Sequence, residues 1–135
     1  MKMVGKKDIK AGGYVTKDSG KREKHKTGAV RDVRFGKGRY DLISPLATRR
    51  RAGVYERGAL KYADRNWEKG MKLSRYLDSA KRHLDQYQEG LRDEDHLAQS
   101  GWNIDAMMHT EEMIKRGLLP KELDDLPNYT KKAKK

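Results

Sequence analysis

The sequence predicts an all-α domain, a bundle of about three to four helices, and three observations lead there. Leu73, Tyr76/Leu77, Ala80, His83/Leu84 and Tyr87 recur at intervals of three and four, the spacing of one helical face. Helix punctuation brackets the apolar segments: Ser44-Pro45 is a cap followed by a first-turn proline, and Gly90 and Gly117 are stops. Strand-like alternation is weak everywhere, and no internal repeat is visible.

Taken in order, residues 1–27 are rich in Lys, Gly, Asp and Ser with almost no periodic apolar residues, and read as a flexible basic arm. Residues 28–44 form a glycine-punctuated loop, in which Val30, Val33, Phe35, Tyr40, Leu42 and Ile43 can pack on a core. The first helix is expected from Pro45 to about Ala63, with Leu46, Val54, Ala59 and Leu60 as its apolar contacts. Gly53 and Gly58 weaken it and suggest close packing. A loop containing Asp64-Arg65-Asn66 and Lys69-Gly70 follows.

Ser74 can cap the second helix, which Gly90 ends. Asp93 or Asp95 can cap the third, which runs to about Arg116 with Leu97, Gly101, Ile104 and Met108 on its buried side. Pro120 and Pro127 keep the remainder from forming a long helix, and Tyr129 to Lys135 reads as disordered. The organisation is then an arm at 1–27, a helical domain at 28–127 and a basic tail at 128–135.

With 135 residues the chain suffices for one domain with a core. At 35% hydrophobic and 39% charged residues, that core is lean or is completed by a partner subunit. Cysteine is absent, which excludes disulfides, thiolate metal sites and a cysteine nucleophile. There is no apolar run of membrane-spanning length and no signal-peptide core, so a soluble intracellular protein is expected. The net charge of +12 is unevenly placed: residues 1–41 carry 13 Lys/Arg against 5 Asp/Glu, and residues 128–135 carry four lysines and no acid. The middle balances 15 against 15, so the basicity belongs to the ends.

Chemistry concentrates between Lys61 and Asn103. Two helices joined by the short turn after Glu89 pack side by side, which lets Asp78 and His83 approach His96 and Asn103. His96, Ser100 and Asn103 share a helical face. Carboxylates with an imidazole and an amide oxygen suit a hard divalent ion such as Mg²⁺ or Mn²⁺, and such an ion suits phosphate chemistry. The stripe Asp78, Arg82, Asp85 and Glu89 reads equally well as a solvated face, and Asp93-Glu94-Asp95 as a capping loop. His83, among Tyr76, Ala80 and Tyr87, reads equally well as a structural histidine. Asn66-Trp67 offers an aromatic ring beside an amide, the pair a nucleobase needs, although tryptophans are also ordinary core residues. Gly36-Lys37-Gly38-Arg39 is a weak phosphate-cradle candidate through Lys37 and Arg39. A P-loop, a nucleophile elbow and a Ser-His-Asp arrangement are all missing.

The segments GKGRYDLI (36–43), YERGALKYADRNWEKG (55–70), RHL (82–84) and DEDHLAQSGWN (93–103), in that order, resemble the phage-type dATP/dGTP diphosphohydrolase family. That family groups with the MazG-like all-α nucleoside triphosphate pyrophosphohydrolases, and the resemblance spans roughly Gly28 to Pro127. It implies metal-dependent hydrolysis of a purine deoxynucleoside triphosphate to the monophosphate and pyrophosphate, with Mg²⁺ or Mn²⁺ held by carboxylates on adjacent helices. Carried over by position, Lys61, Tyr62, Asn66 and Trp67 shape the nucleotide pocket, and Arg82, His83, His96 and Asn103 line the reaction centre. Asp78, Glu89, Asp93 and Asp95 are the acids implied for the metal. The resemblance also implies a homodimer or homotetramer and a cytoplasmic location, that of a host cell for a phage gene. Two departures stand out: the ExxE…ExxD pattern of MazG proper is missing, and Gln99 replaces a histidine expected in many relatives.

Two other readings compete. Basic tails can grip nucleic acid through its phosphates while the helical core only dimerises. A relative without turnover can bind nucleotides and not cleave them.

Overall fold

A computed structural model describes residues 7–131. The chain divides between Leu42 and Ile43 into two compact units.

The first unit corrects the all-α expectation. Its described part holds two antiparallel hairpins, β1 (Ile9–Ala11) with β2 (Tyr14–Thr16), and β3 (Arg22–Lys24) with β4 (Val30–Asp32). Ala11 pairs with Tyr14, so Gly12 and Gly13 form a two-residue turn, with φ of +59° and +81°. Positive φ at both central residues is what a tight hairpin turn demands, and glycine supplies it without strain. Side-chain bonds hold these short strands, which bury almost nothing. Asp18 accepts two bonds from the Arg22 guanidinium at 2.6 and 2.8 Å. Asp32 accepts from the Ser19 amide at 3.1 Å and from the Ser19 hydroxyl. Alternation is too weak to read because no strand has a buried face. The arm expected at 1–27 therefore contains strands from Ile9 onward, and its first six residues lie outside the described ones.

The second unit is helical: α1 (Pro45–Lys61), α2 (Leu73–Glu89) and α3 (His96–Lys115), with short 3-10 turns at Asn66–Lys69 and Lys121–Leu123. Helix α3 packs against both α1 and α2. Ser44 caps α1 as expected, its hydroxyl accepting from the Ala47 amide at 3.2 Å. Asp95 caps α3 by accepting from the Ala98 amide at 3.2 Å. Gly90 and Gly117 end α2 and α3 with φ of +100° and +73°, the left-handed turn that exposes no Cβ penalty.

Ser74 does not cap α2. The helix starts two residues earlier, after Lys72, and Asp125 accepts from the Ser74 amide at 3.0 Å and from its hydroxyl. A carboxylate from the C-terminal segment thus serves the first turn of α2, a partner too distant in sequence for local capping rules to find.

The core joins Leu73, Tyr76 and Ala106, with Trp67, Trp102, Met107 and Leu126 packed around them. Helix α2 buries Leu73, Tyr76, Ala80 and His83, positions that its apolar spacing selects. Helix α3 reverses its expected face: Leu97, Ile104 and Met108 are exposed, and His96, Ala98, Ser100, Asn103, Ala106 and Thr110 are buried. Small and polar side chains let α3 approach α2 closely, so the buried face is not the apolar one. Leu46 and Leu60 of α1 are also exposed, leaving Val54 as that helix's buried residue. Gly58 meets nothing and Gly53 meets only the Arg57 side chain, so neither marks close packing. Close approach occurs at Gly70, where a Cβ would lie 2.9 Å from Leu119, and at Gly101, where it would lie 3.1 Å from Arg51. Of the basic tail, residues 132–135 lie outside the described ones. Among the described residues no helix is long and apolar enough to cross a membrane.

Candidate functional site

A groove of about 1560 Å³ runs between α1 and α2 in the helical unit. One wall carries Arg50, Val54, Arg57 and Lys61 at spacings of four, three and four on α1. The opposite wall carries Arg75, Ser79, Arg82, His83 and Gln86 of α2, and Gln99, Trp102 and Asn103 of α3 also line it. The loop Tyr62–Trp67 closes one end and the turn Arg92–Asp95 the other.

Two histidines meet where α2 ends and α3 begins. His83 Nδ1 and His96 Nδ1 lie 2.9 Å apart, and His96 Nε2 lies 2.8 Å from Asp93 Oδ1. The Asp93 carboxylate can only accept, so His96 carries its proton on Nε2. In neutral rings the His96 Nδ1 lone pair then accepts from His83 Nδ1–H. His96 is 2% exposed and His83 9%. Burial pushes the His83 imidazole below its ordinary value, against the pull of Glu94. The bond from His96 holds the Asp93 carboxyl below the usual range. Glu94, in the same turn, places a carboxylate oxygen near the pair: one donor atom each from His83, Glu94 and His96 lie within 4.8 Å of one another.

The polar face of α3 is fully engaged around this cluster. Ser100 Oγ donates to the Ala80 carbonyl at 3.0 Å. Asn103 Nδ2 donates to the Gln99 carbonyl at 2.9 Å and to Ser79 Oγ at 3.2 Å. Gln99, which stands where a histidine was expected, donates its amide to Glu94 Oε1 at 3.2 Å.

The acids singled out from sequence have different partners. Asp95 receives both guanidinium arms of Arg50, at 2.6 and 2.9 Å, and caps α3, which holds its carboxyl down to about 2. Asp78 pairs with Arg82 at 3.0 Å on the groove wall. Asp93 faces His96. Glu89 is exposed and is not among the groove-lining residues. Lys61, Tyr62, Asn66 and Trp67 all line the groove, with the Lys61 ammonium 5.2 Å from the Tyr62 ring centre. Trp67 also belongs to the core, edge-on to Tyr55 at 5.7 Å and to His109 at 4.8 Å. Below it, burial and the Asp105 carboxylate push the Tyr55 hydroxyl up to about 12. Lys37 and Arg39 belong to the first unit, where they pair with Asp32 at 3.3 Å and Asp41 at 2.8 Å.

Several groove residues escaped the sequence reading. Arg57 and Arg75 line it with no ion-pair partner among the described residues. Arg92 covers the Tyr87 ring at 3.9 Å, and Gln86 keeps a buried Oε1 without a hydrogen-bond partner. The four-three-four spacing from Arg50 to Lys61 was the available signal, because it sets three cations on one helical face.

The groove thus unites lone pairs able to hold a cation, arginines able to hold phosphates, and an aromatic-amide rim. Neither a curated protein nor a solved structure matches the chain. A family profile described as dATP/dGTP diphosphohydrolase, N-terminal, matches residues 27–119, which is more than half of the chain. The chain belongs to the dATP/dGTP diphosphohydrolase, N-terminal family.

Proposed function

We propose that this chain catalyses the metal-dependent hydrolysis of purine deoxynucleoside triphosphates, dGTP or dATP, to the monophosphate and pyrophosphate. The carrying observation is a single groove lined by His83, Asp93 and Glu94 together with Arg57 and Arg75, which form no ion pair among the described residues, while the buried His96 joins His83 to Asp93 behind that wall. A cluster of lone pairs beside fixed cations is what a polyphosphate and its counter-ion require.

A divalent ion such as Mg²⁺ or Mn²⁺ would neutralise phosphate charge there and lower the pKa of a bound water. Carboxylate oxygens such as those of Asp93 and Glu94 fit such an ion. The chain's own residues do the rest. Arg57, Arg75 and Lys61 grip phosphate oxygens. Tyr62, two-thirds exposed beside Lys61, offers its ring face to a base, and Asn66 offers an amide to a base edge. Arg82 and Asn103 flank the reaction centre and fix its geometry through Asp78 and Ser79. The Asp93–His96 bond keeps one imidazole oriented.

The test is a panel of nucleoside triphosphates assayed for pyrophosphate with Mg²⁺ and with Mn²⁺. Release from dGTP or dATP is expected. No turnover of any nucleotide with any divalent ion would sink the enzymatic reading, and calorimetric binding without turnover would make the chain a nucleotide-binding relative.

Self-association belongs to the same proposal. Leu97, Ile104 and Met108 form an exposed apolar stripe at spacings of seven and four on α3, and a homodimer or homotetramer would cover them. Light scattering should find more than one chain, and Ile104→Lys should reduce the mass.

A second reading rests on the charge surplus of residues 1–41 and 128–135, which supports contact with nucleic-acid phosphates. It expects binding that collapses with added salt and disappears when both basic ends are removed.

A further inference from the structure

We propose that the divalent ion of this groove is held by the two Nδ1 atoms of His83 and His96 with the Glu94 carboxylate, a nitrogen-rich site that favours Zn²⁺, Co²⁺ or Mn²⁺ over Mg²⁺. The inference rests on the functional reading above but replaces the carboxylate ligands, Asp78, Glu89, Asp93 and Asp95, that the family resemblance implies.

Three observations carry it. First, the two Nδ1 atoms stand 2.9 Å apart. Two nitrogens bound to one ion at about 2.1 Å stand about 3.0 Å apart in octahedral and about 3.4 Å apart in tetrahedral coordination, so the pair need open by no more than about 0.5 Å. Second, the Asp93 carboxylate accepts from His96 Nε2–H at 2.8 Å. A carboxylate on the far nitrogen is the usual way a ligating histidine is oriented, with the other lone pair turned to the metal. Asp93 is then a positioning residue and not a ligand. Third, Glu94 brings a donor oxygen within 4.8 Å of a ring nitrogen of each histidine, and Gln99 holds that carboxylate by a 3.2 Å amide bond.

The proton balance closes without an outside reactant. Neutral His83 carries its proton on Nδ1, in the bond to His96. On metal binding that proton moves to Nε2, which has no hydrogen-bond partner among the described residues, and both Nδ1 lone pairs face the ion. No net proton leaves when both rings begin neutral.

Selectivity follows from ligand type. Imidazole suits the later first-row ions, whereas Mg²⁺ takes oxygen ligands and dehydrates reluctantly. Asp95 accepts two bonds from Arg50 and Asp78 one from Arg82, and it is Glu94 whose carboxylate stands beside the histidine pair.

The experiment is calorimetric titration of the full chain with Zn²⁺, Mn²⁺ and Mg²⁺, without nucleotide, together with imidazole nitrogen NMR in the presence of Zn²⁺. One Zn²⁺ per chain is expected, bound more tightly than Mn²⁺, which in turn binds more tightly than Mg²⁺. NMR should show His83 changing from the Nδ1–H to the Nε2–H form, with both Nδ1 atoms metal-bound. Glu94→Gln, an exposed position that the fold tolerates, and His83→Ala should weaken Zn²⁺ by about 100-fold or more. Asp93→Asn and Gln99→Ala should weaken it about 10- to 100-fold, the usual cost of losing a supporting partner. His25→Ala, in the first unit, should change nothing.

Mg²⁺ bound as tightly as Mn²⁺, Zn²⁺ binding unchanged in Glu94→Gln and His83→Ala, or histidine nitrogen signals unmoved by Zn²⁺ would each overturn the site. All three outcomes leave pyrophosphate release untouched. A chain that binds Zn²⁺ as described yet cleaves no nucleotide would keep the site and lose the enzymatic reading.

Discussion

The α2–α3 pair is packed on two different principles at its two ends. Where α2 begins, Leu73 and Tyr76 meet Ala106 and Trp102, and the contact is apolar and aromatic, with Tyr76 and Trp102 edge-on at 6.3 Å. Where α2 ends, His83 and Ala80 meet His96 and Ser100, and the contact is a hydrogen-bonded polar network. Exposure hardly separates them: Tyr76 is 1% exposed and His96 2%. Energetics do. Burying a large aromatic ring stabilises directly, whereas a buried hydrogen bond contributes only about 0.5–1.5 kcal/mol net because water bonds are given up for it. One end holds the helices together, and the other spends that stability on placing lone pairs beside the groove.

The contrast can be broken at either end. The largest effect is expected at the polar end: His96→Ala should lower pyrophosphate release by about 100- to 10,000-fold, the range for losing a group at the reacting centre. Circular dichroism should show the helices retained. Activity within tenfold of the parent would remove the functional half of the comparison. At the apolar end, Tyr76→Ala should cost about 3–5 kcal/mol in a urea titration, as for other buried aromatics truncated to alanine. A cost below about 1 kcal/mol would move the anchor elsewhere.

Gly70→Ala sharpens the same end. With φ of +86° and a Cβ position 2.9 Å from Leu119, the substitution should cost about 1–3 kcal/mol, with the proposed pyrophosphate release of the folded chain unchanged. The smallest effect concerns pH. Arg50 holds Asp95 at about 2, below its ordinary 3.8, so the unfolded chain takes up the proton first. The pair's stabilisation is complete above the ordinary value and is lost as pH falls from there through about 2. The stability gap between parent and Asp95→Asn should therefore narrow across that window in acid denaturation. A gap independent of pH would mean that the ion pair contributes nothing at the start of α3.

The helices were legible because their signals are local. Ser44 capping a first-turn proline, Gly90 and Gly117 in left-handed turns, and the Leu73–Tyr76–Ala80–His83 spacing each involve neighbours a few residues apart. Family membership was legible for a related reason, since several motifs in a set order carry more information than any one of them. The hairpins were missed although Gly12-Gly13 is a turn signal, because strands without a buried face leave no alternation to read. The buried side of α3 was misjudged because apolar residues were assumed to point inward. Close packing against α2 instead selected Ala98, Ser100, Asn103 and Ala106 for their size.

By itself the sequence determined where α1 starts and where α2 and α3 stop, that the basic charge sits at the two ends, and which family the chain joins. Only the tertiary structure decided which group each acid stands beside. Asp95 and Asp78 are committed to arginines, Asp93 to His96, and Glu94 is brought beside two imidazoles. Arg50 and Asp95 are 45 positions apart, as the Asp125 carboxylate and Ser74 are 51 apart. Such pairings depend on how helices pack, and an ionisable group's role is set by its neighbours in space rather than along the chain.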